Sequence, residues 1–366
     1  MVNKVCVLGA GYMGGAITFP LSDNGIGVNL WGTWLDDDLI SGSIGGFHPR
    51  LKKPLNKNVK FFYSSCLKDA ISGVDTFFIA VTSEGFPGVF ELLVDNLDFS
   101  KNYCFFKLTK GLVKYQGKIV RASEAAESIY KKHLKNLSGN IKGASEKNRI
   151  YKPAGFAMTS IGGPVRAVDL ASRIPTVSVY GSNTKAAFDK IKYFTTDYYR
   201  IHRSSDPAGV EICSTFKNIY SIAAGLCDGI YGRNFKGSYY NIIALLFNQS
   251  VLEMLKIVEA AGGKKETAIS FAGIGDLHVT SAAGRNRKYG ELVGSGDDPA
   301  EAYCKMQREG EYGEGYVALK LSIPWLDKFG LDIEKELPLL STLYRIIYKK
   351  NDIKKALNRL ILKMGN

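Results

Sequence analysis

The sequence predicts an α/β protein in which an N-terminal, doubly wound, mostly parallel sheet is followed by an all-helical C-terminal domain. Three observations predict it. Short apolar runs alternate with helical stretches through the first half, the pattern of strands covered by helices. Strand-like runs cease near Ser205 and long helical patterns replace them. The 366 residues also exceed one ordinary core, so two domains are expected, 1–204 and 205–366.

The expected strands are Val5–Leu8, Val28–Trp31, Val59–Phe62, Thr76–Val81, Tyr103–Leu108, Phe156–Ile161 and Thr176–Tyr180. Helices are expected after Gly11, around Gly88–Asn96 and over Lys118–Leu134. The polar segment Ser138 to Lys152 reads as a surface excursion. In the second domain helices are expected over Pro207–Ile230, Asn241–Ala261, Ala300–Arg308, Tyr316–Phe329 and Leu337–Tyr348.

Composition narrows the class. Hydrophobic residues make up 45% and charged residues 23%, the balance of a folded soluble chain. No uninterrupted apolar run approaches the ~18 residues of a membrane helix, and the run from Val5 is broken by glycines before it resembles a signal peptide. The six cysteines (Cys6, Cys66, Cys104, Cys213, Cys227 and Cys304) form no C-x-x-C pair. Reduced thiols in the cytoplasm are therefore expected, with neither a disulfide framework nor a metal site. A net charge of +13 suits the steering of anionic ligands, though lysine-rich composition alone would produce it. No nucleic-acid-binding motif is visible, so no nucleic-acid partner is expected.

Val5-Cys6-Val7-Leu8 runs into Gly9-Ala10-Gly11-Tyr12-Met13-Gly14. This is the Rossmann-type G-x-G-x-x-G after a strand and before a helix, where glycines permit a tight turn and close approach to a pyrophosphate. The helix N-terminus behind it offers N–H groups and positive dipole to the phosphates. A ribose-binding acid is expected some 20 residues on; the chain instead reads Leu30-Trp31-Gly32-Thr33-Trp34, with Asp36 to Asp38 beyond. Thr33 or Arg50 would suit a 2′-phosphate, and the aspartates are expected to cap or open the next helix. NAD and NADP both remain open.

In the second domain Asp206-Pro207 starts a helix that is apolar nearly all round and therefore buried. Lys217 and Asn218 sit in its middle. Burial lowers a lysine pKa and prepares it for proton exchange near neutrality, so Lys217 is the candidate acid/base; a lysine snorkelling to solvent is the competing reading. Asn218, on the face of Glu211, would make a structural hydrogen bond. Lys110 follows a strand in Leu108-Thr109-Lys110-Gly111, at the sheet edge where ligands bind. Asp276, flanked by glycine, could orient a lysine or a substrate hydroxyl. Gly284-Arg285-Asn286-Arg287-Lys288 is a basic cluster whose arginines suit a phosphate. Gly162-Gly163-Pro164 ends another strand and is expected to present N–H donors.

Together these blocks resemble the NAD(P)-dependent glycerol-3-phosphate dehydrogenase family over nearly the whole chain. The resemblance is carried by the glycine loop, Leu108-Thr109-Lys110-Gly111, Gly162-Gly163-Pro164 and Gly209-Val210-Glu211-Ile212 with Lys217-Asn218. Gly275-Asp276-Leu277, Gly284-Arg285-Asn286-Arg287 and Glu314-Gly315 complete it. It implies Lys217, Lys110 and Asp276 as catalytic residues. It implies Lys110, Gly163, Asn218, Asp276, Thr280, Arg285 and Asn286 at the substrate. Gly9, Gly11, Tyr12, Met13, Gly14, Thr33, Lys110, Ala167, Arg285 and Glu314 would line the NAD or NADP cofactor.

The implied activity interconverts dihydroxyacetone phosphate and sn-glycerol 3-phosphate, for phospholipid synthesis or as a link between glycolysis and glycerol metabolism. A homodimer is implied as well. Two positions depart from the family: Gly162 and Val165 stand where hydroxyl side chains are usual, leaving only backbone N–H groups to take their place. The runner-up is a related hydroxy acid or ketopantoate reductase. A non-catalytic dinucleotide sensor or basic nucleic-acid-binding protein is the reading from another class.

Overall fold

The computed structural model describes residues 1–139, 156–235 and 239–364. The chain divides into two compact units. The first comprises Met1–Thr109, Val113–Ile161 and Val165–Pro207; the second comprises Lys110–Leu112, Gly162–Pro164 and Ala208–Asn366.

In chain order the strands are β1 (Lys4–Leu8), β2 (Gly27–Trp31), β3 (Phe47–His48), β4 (Lys53–Pro54), β5 (Val59–Phe62) and β6 (Thr76–Ile79). They continue with β7 (Tyr103–Lys107), β8 (Leu112–Tyr115), β9 (Lys118–Arg121), β10 (Phe156–Gly162), β11 (Thr176–Gly181) and β12 (Tyr199–Ser204). Eight of them form one sheet in the spatial order β12-β11-β10-β7-β6-β1-β2-β5. The pairs β5/β2, β2/β1, β1/β6, β6/β7, β7/β10 and β11/β12 are parallel. The chain winds outward from β1 through β2 and β5, then resumes on the other side of β1 with β6. That reversal creates the switch point beside the carboxyl end of β1, where such sheets bind ligands.

Alternation along each strand builds a core on both faces. Val5, Val7, Val28, Leu30, Phe78 and Phe106 lie in one cluster; Cys6, Leu8, Trp31, Phe77, Ile79 and Phe105 lie in the other. Paired strands bring rings together across each face, with Phe78 and Phe106 at 5.0 Å and Phe77 and Phe105 at 5.7 Å between centroids.

Two local expectations fail. Lys118–Arg121 is strand, so the helix begins at Ala122. Gln116 and Gly117 both have positive φ (47° and 73°), the geometry of a tight turn that folds β9 back beside β8. Sequence reading also passed over β12, whose His202 and Arg203 face outward and leave no apolar run. Most of the segment expected as a surface excursion, from Asn140 to Lys152, lies outside the described residues; Ser138 and Gly139 still belong to the preceding helix.

From Ala208 onward the described residues contain helices and no strand. The helix Pro207–Phe235 is the spine of this second unit, with Val210, Ile212, Cys213, Phe216, Ile219 and Ile222 fully buried around it. A β-carbon on Gly225 would fall 1.9 Å from the carbonyl oxygen of Arg287, so only glycine lets the helix Arg285–Gly294 cross this closely. Among the described residues one helix, Tyr240–Ala260, is long and apolar enough to cross a membrane by length and composition. Its buried Glu253 accepts hydrogen bonds from Leu339 N (2.6 Å) and Leu340 N (2.9 Å), which ties it to the start of the helix Pro338–Lys349.

Candidate active site

The glycine loop belongs to the first unit. Gly9 has φ +99°, and a β-carbon there would meet the Ala80 carbonyl oxygen at 2.7 Å; one on Gly14 would lie 1.8 Å from the Gly9 oxygen. Both positions therefore require glycine, and the chain turns directly into the helix Tyr12–Asp23, whose N-terminus no side chain caps. The intervening Ala10 peptide is held from both sides. Its N–H donates to Asp36 Oδ2 at 3.3 Å, and its carbonyl oxygen lies 3.1 Å from His48 Nε2. Because Leu51 N–H donates to His48 Nδ1, Nε2 carries the proton and the imidazole is neutral. Burial pushes the His48 pKa down, in keeping with that form.

Asp37 and Asp38 open the following helix, as expected, while the Asp36 side chain before them makes no capping bond. Its carboxylate also accepts from Thr33 N (3.1 Å) and Thr33 Oγ1 (2.8 Å), so it braces the loop instead. The Arg50 guanidinium lies 5.9 Å from the Tyr12 ring centre, and its Nη1 is the nearest atom to where a Gly11 β-carbon would sit. A glycine turn, an uncapped helix start and an adjacent guanidinium fit a dinucleotide's phosphates. Met13 packs on the sheet core beneath the loop, and Ala167 opens a separate short helix, Ala167–Ala171, in the same unit. Val165 also packs on that core and brings no polar group.

The second unit collects the remaining candidates. Lys217, 2% exposed, forms a buried ion pair with Asp276, 1% exposed. Asp276 Oδ2 accepts the Gly163 N–H at 3.1 Å, and Thr280 Oγ1 donates to the Asp276 carbonyl at 2.7 Å. The carboxylate is thereby held in one orientation against the ammonium. Desolvation drives the Lys217 pKa below the usual lysine range to about 8; Asp276 opposes the shift and the nearby Lys110 ammonium adds to it. Lys110 reaches this place because Gly111 N–H donates to Thr215 Oγ1 at 3.1 Å, pinning the turn after β7 onto the helix Pro207–Phe235.

A hydrogen-bonded chain starts at Asn218, the residue after Lys217. Asn218 Nδ2 donates to Glu314 Oε2 at 3.0 Å, and Asn218 Oδ1 accepts from Asn286 Nδ2 at 3.0 Å. Asn286 Oδ1 in turn accepts Gly315 N–H at 2.8 Å. Asn286 is the second residue of the helix Arg285–Gly294, whose first residue, Arg285, is half-buried and enters no ion pair among the described residues. A guanidinium at an uncapped helix N-terminus is a fitting receptor for a phosphate.

Within the basic run, Arg285 alone of the three cations enters no ion pair among the described residues. Arg287 forks onto Asp228 (2.5 and 2.8 Å) and bonds the carbonyls of Ser281 and Ala282, while Lys288 pairs with Glu309 and Glu311. Of the donors expected from Gly162-Gly163-Pro164, the Gly163 N–H is committed to Asp276 and proline has none. Sequence reasoning missed His48 and Asp36 as loop braces. Only their return to Ala10 reveals the role, and nothing in their spacing signals it.

The chain matches two family models in order: the NAD-dependent glycerol-3-phosphate dehydrogenase N-terminus over residues 4–188 and the C-terminus over 206–358. It is 30% identical over 356 residues to the NADP(+)-dependent glycerol-3-phosphate dehydrogenase of Archaeoglobus fulgidus, covering 96% of this chain and 97% of the other. Identity to the glycerol-3-phosphate dehydrogenase [NAD(P)+] of Clostridium botulinum is 28%, over 99% and 98% of the two chains. The crystal structure of the Coxiella burnetii glycerol-3-phosphate dehydrogenase superposes with a TM-score of 0.81 at 27% identity, covering 98% of each chain.

Proposed function

This chain belongs to the NAD-dependent glycerol-3-phosphate dehydrogenase family, and from that premise we propose how its residues share the reaction. It is an oxidoreductase that interconverts dihydroxyacetone phosphate and sn-glycerol 3-phosphate with NAD(P)H. Membership sets aside the hydroxy acid or ketopantoate reductase and the non-catalytic readings.

Residues 1–204 bind the dinucleotide through Gly9, Gly11, Tyr12, Met13, Gly14, Thr33 and Ala167, and 205–366 carry the substrate residues other than Lys110, which comes from the turn after β7. The bound cofactor supplies hydride to the ketone carbon. The Lys217 ammonium gives its proton to the ketone oxygen as negative charge gathers there, and in the reverse direction the neutral amine takes it back. Asp276 aims the ammonium, and Lys110 with burial makes its proton easy to release. Arg285 and Asn286 hold the phosphate, and Asn218 joins that grip to Lys217.

The observation that carries this reading is the buried Lys217–Asp276 pair, joined through Asn218 to an arginine-bearing helix start. Its test is NADH and NADPH absorbance with dihydroxyacetone phosphate as acceptor. Lys217→Ala should lower turnover by about 100- to 10,000-fold and leave dinucleotide affinity unchanged; near-normal turnover would exclude the role. We further place the protein in the cytoplasm as a homodimer supplying glycerol 3-phosphate to phospholipid synthesis. The six cysteines, which form no disulfide, and the exposed Ile269 and Phe271 support the first two statements, and sedimentation equilibrium tests the dimer.

A further inference from the structure

Ser214 lies one turn before Lys217 on the same buried helix and is 2% exposed. Its hydroxyl has no hydrogen-bond partner among the described residues, which is unusual, since a buried hydroxyl left unpaired is destabilising. The space it occupies is unusual as well. A β-carbon on Gly162 would lie 2.6 Å from Ser214 Oγ, so the missing side chain at the end of β10 is what makes room for the hydroxyl. The next residue, Gly163, donates to the Asp276 carboxylate that pairs with Lys217. An unsatisfied hydroxyl therefore sits against the same turn that orients the acid/base pair.

Direction along the helix says what would satisfy it. Asn218, immediately after Lys217, is bonded to Asn286 on the helix that presents Arg285, so the phosphate side lies toward Asn218. Lys217 serves the middle oxygen. Ser214 is displaced by about 4.5 Å the other way at 1.5 Å per residue and stays near the same face. A three-carbon substrate laid along this line has its phosphate, its ketone oxygen and its terminal hydroxyl in that order.

We propose that Ser214 is a specificity residue that hydrogen-bonds the free terminal hydroxyl of the triose phosphate, supplying from the helix a polar group that Gly162 cannot offer from the strand. This rests on the triose phosphate reading of the site, and the test separates the two. Initial rates are measured with dihydroxyacetone phosphate and with acetol phosphate, the same ketone lacking the terminal hydroxyl.

The wild-type protein should prefer dihydroxyacetone phosphate. Ser214→Ala should lower kcat/KM for it about 10- to 100-fold, leave the acetol phosphate value and the KM for the dinucleotide within about twofold, and so erase the preference. In a Ser214→Gly background the β-carbon of Gly162→Ser no longer meets Ser214 Oγ and has only the Val210 Cγ1 methyl, at 3.1 Å, to push aside, so this double variant should restore the preference from the strand. A wild-type protein that reduces neither ketone sinks the substrate reading itself. Equal losses on both ketones in Ser214→Ala, or an unchanged preference, leave that reading standing and overturn the role of Ser214.

Discussion

Replacing Asp276 by asparagine keeps the shape of the side chain and an oxygen for the Gly163 N–H, but removes the only carboxylate paired with Lys217 among the described residues. Two ammoniums, Lys217 and Lys110, are then left facing each other without that counter-charge. An opposite charge in contact typically shifts a pKa by about 1–3 units, and burial of this pair places its loss toward the upper end, a fall of roughly 2–3 units. From about 8, Lys217 would then titrate at roughly pH 6 or below. The sign follows from chemistry: the ammonium is the donor in ketone reduction, so reduction is lost as pH rises through the lysine pKa and oxidation is gained. At pH 7.5 the protonated fraction drops from roughly three-quarters to at most about one part in thirty, so reduction slows by about twentyfold or more from protonation alone. Initial rates of NAD(P)H consumption between pH 5.5 and 9 read this directly. The wild-type profile should decline above about 8 and the variant profile above about 6. A variant whose reduction still declines only above pH 8 would refute the assignment of that limb to Lys217.

Other residues carry separable expectations. Arg285→Ala removes the guanidinium at a helix start; KM for dihydroxyacetone phosphate should rise about 10- to 100-fold with a smaller change in kcat, and an unchanged KM would remove the arginine from the phosphate site. Arg50→Ala, beside Gly11 and Tyr12, should lower kcat/KM with NADPH about tenfold or more while sparing NADH; equal losses would move Arg50 from the 2′-phosphate to the pyrophosphate. Glu253→Ala deprives Leu339 N, Leu340 N, Gln249 and the Tyr220 hydroxyl of their acceptor in the second unit. It should destabilise the protein by about 2–4 kcal/mol with kcat and KM preserved at 25 °C, read by denaturant melts beside kinetics; an unchanged midpoint would refute that role.

How much of this was legible in the sequence depended on whether the determining contact was local. Gly9 and Gly14 could be read because the turn they permit lies within six residues, and a helix apolar on every side had to be buried, with Lys217 inside it. The hairpin β8/β9 escaped because Gln116-Gly117 is a weak turn signal and Lys118–Arg121 carries helix-compatible residues; the left-handed backbone decided it. Distant partners were harder still. Nothing near Arg287 in the chain discloses that Asp228, 59 residues earlier, takes up its charge, so the three cations Arg285, Arg287 and Lys288 could not be told apart, although among the described residues Arg285 alone of the three enters no ion pair. The same holds for the loss of a hydroxyl at Gly162. By position it is a deletion, whereas by space it is the vacancy into which Ser214 reaches from a helix about 50 residues on. A substitution at a buried site therefore has to be judged by which atom occupies the volume. Where a second chain element supplies that atom, the motif can lose a residue without the site losing a group.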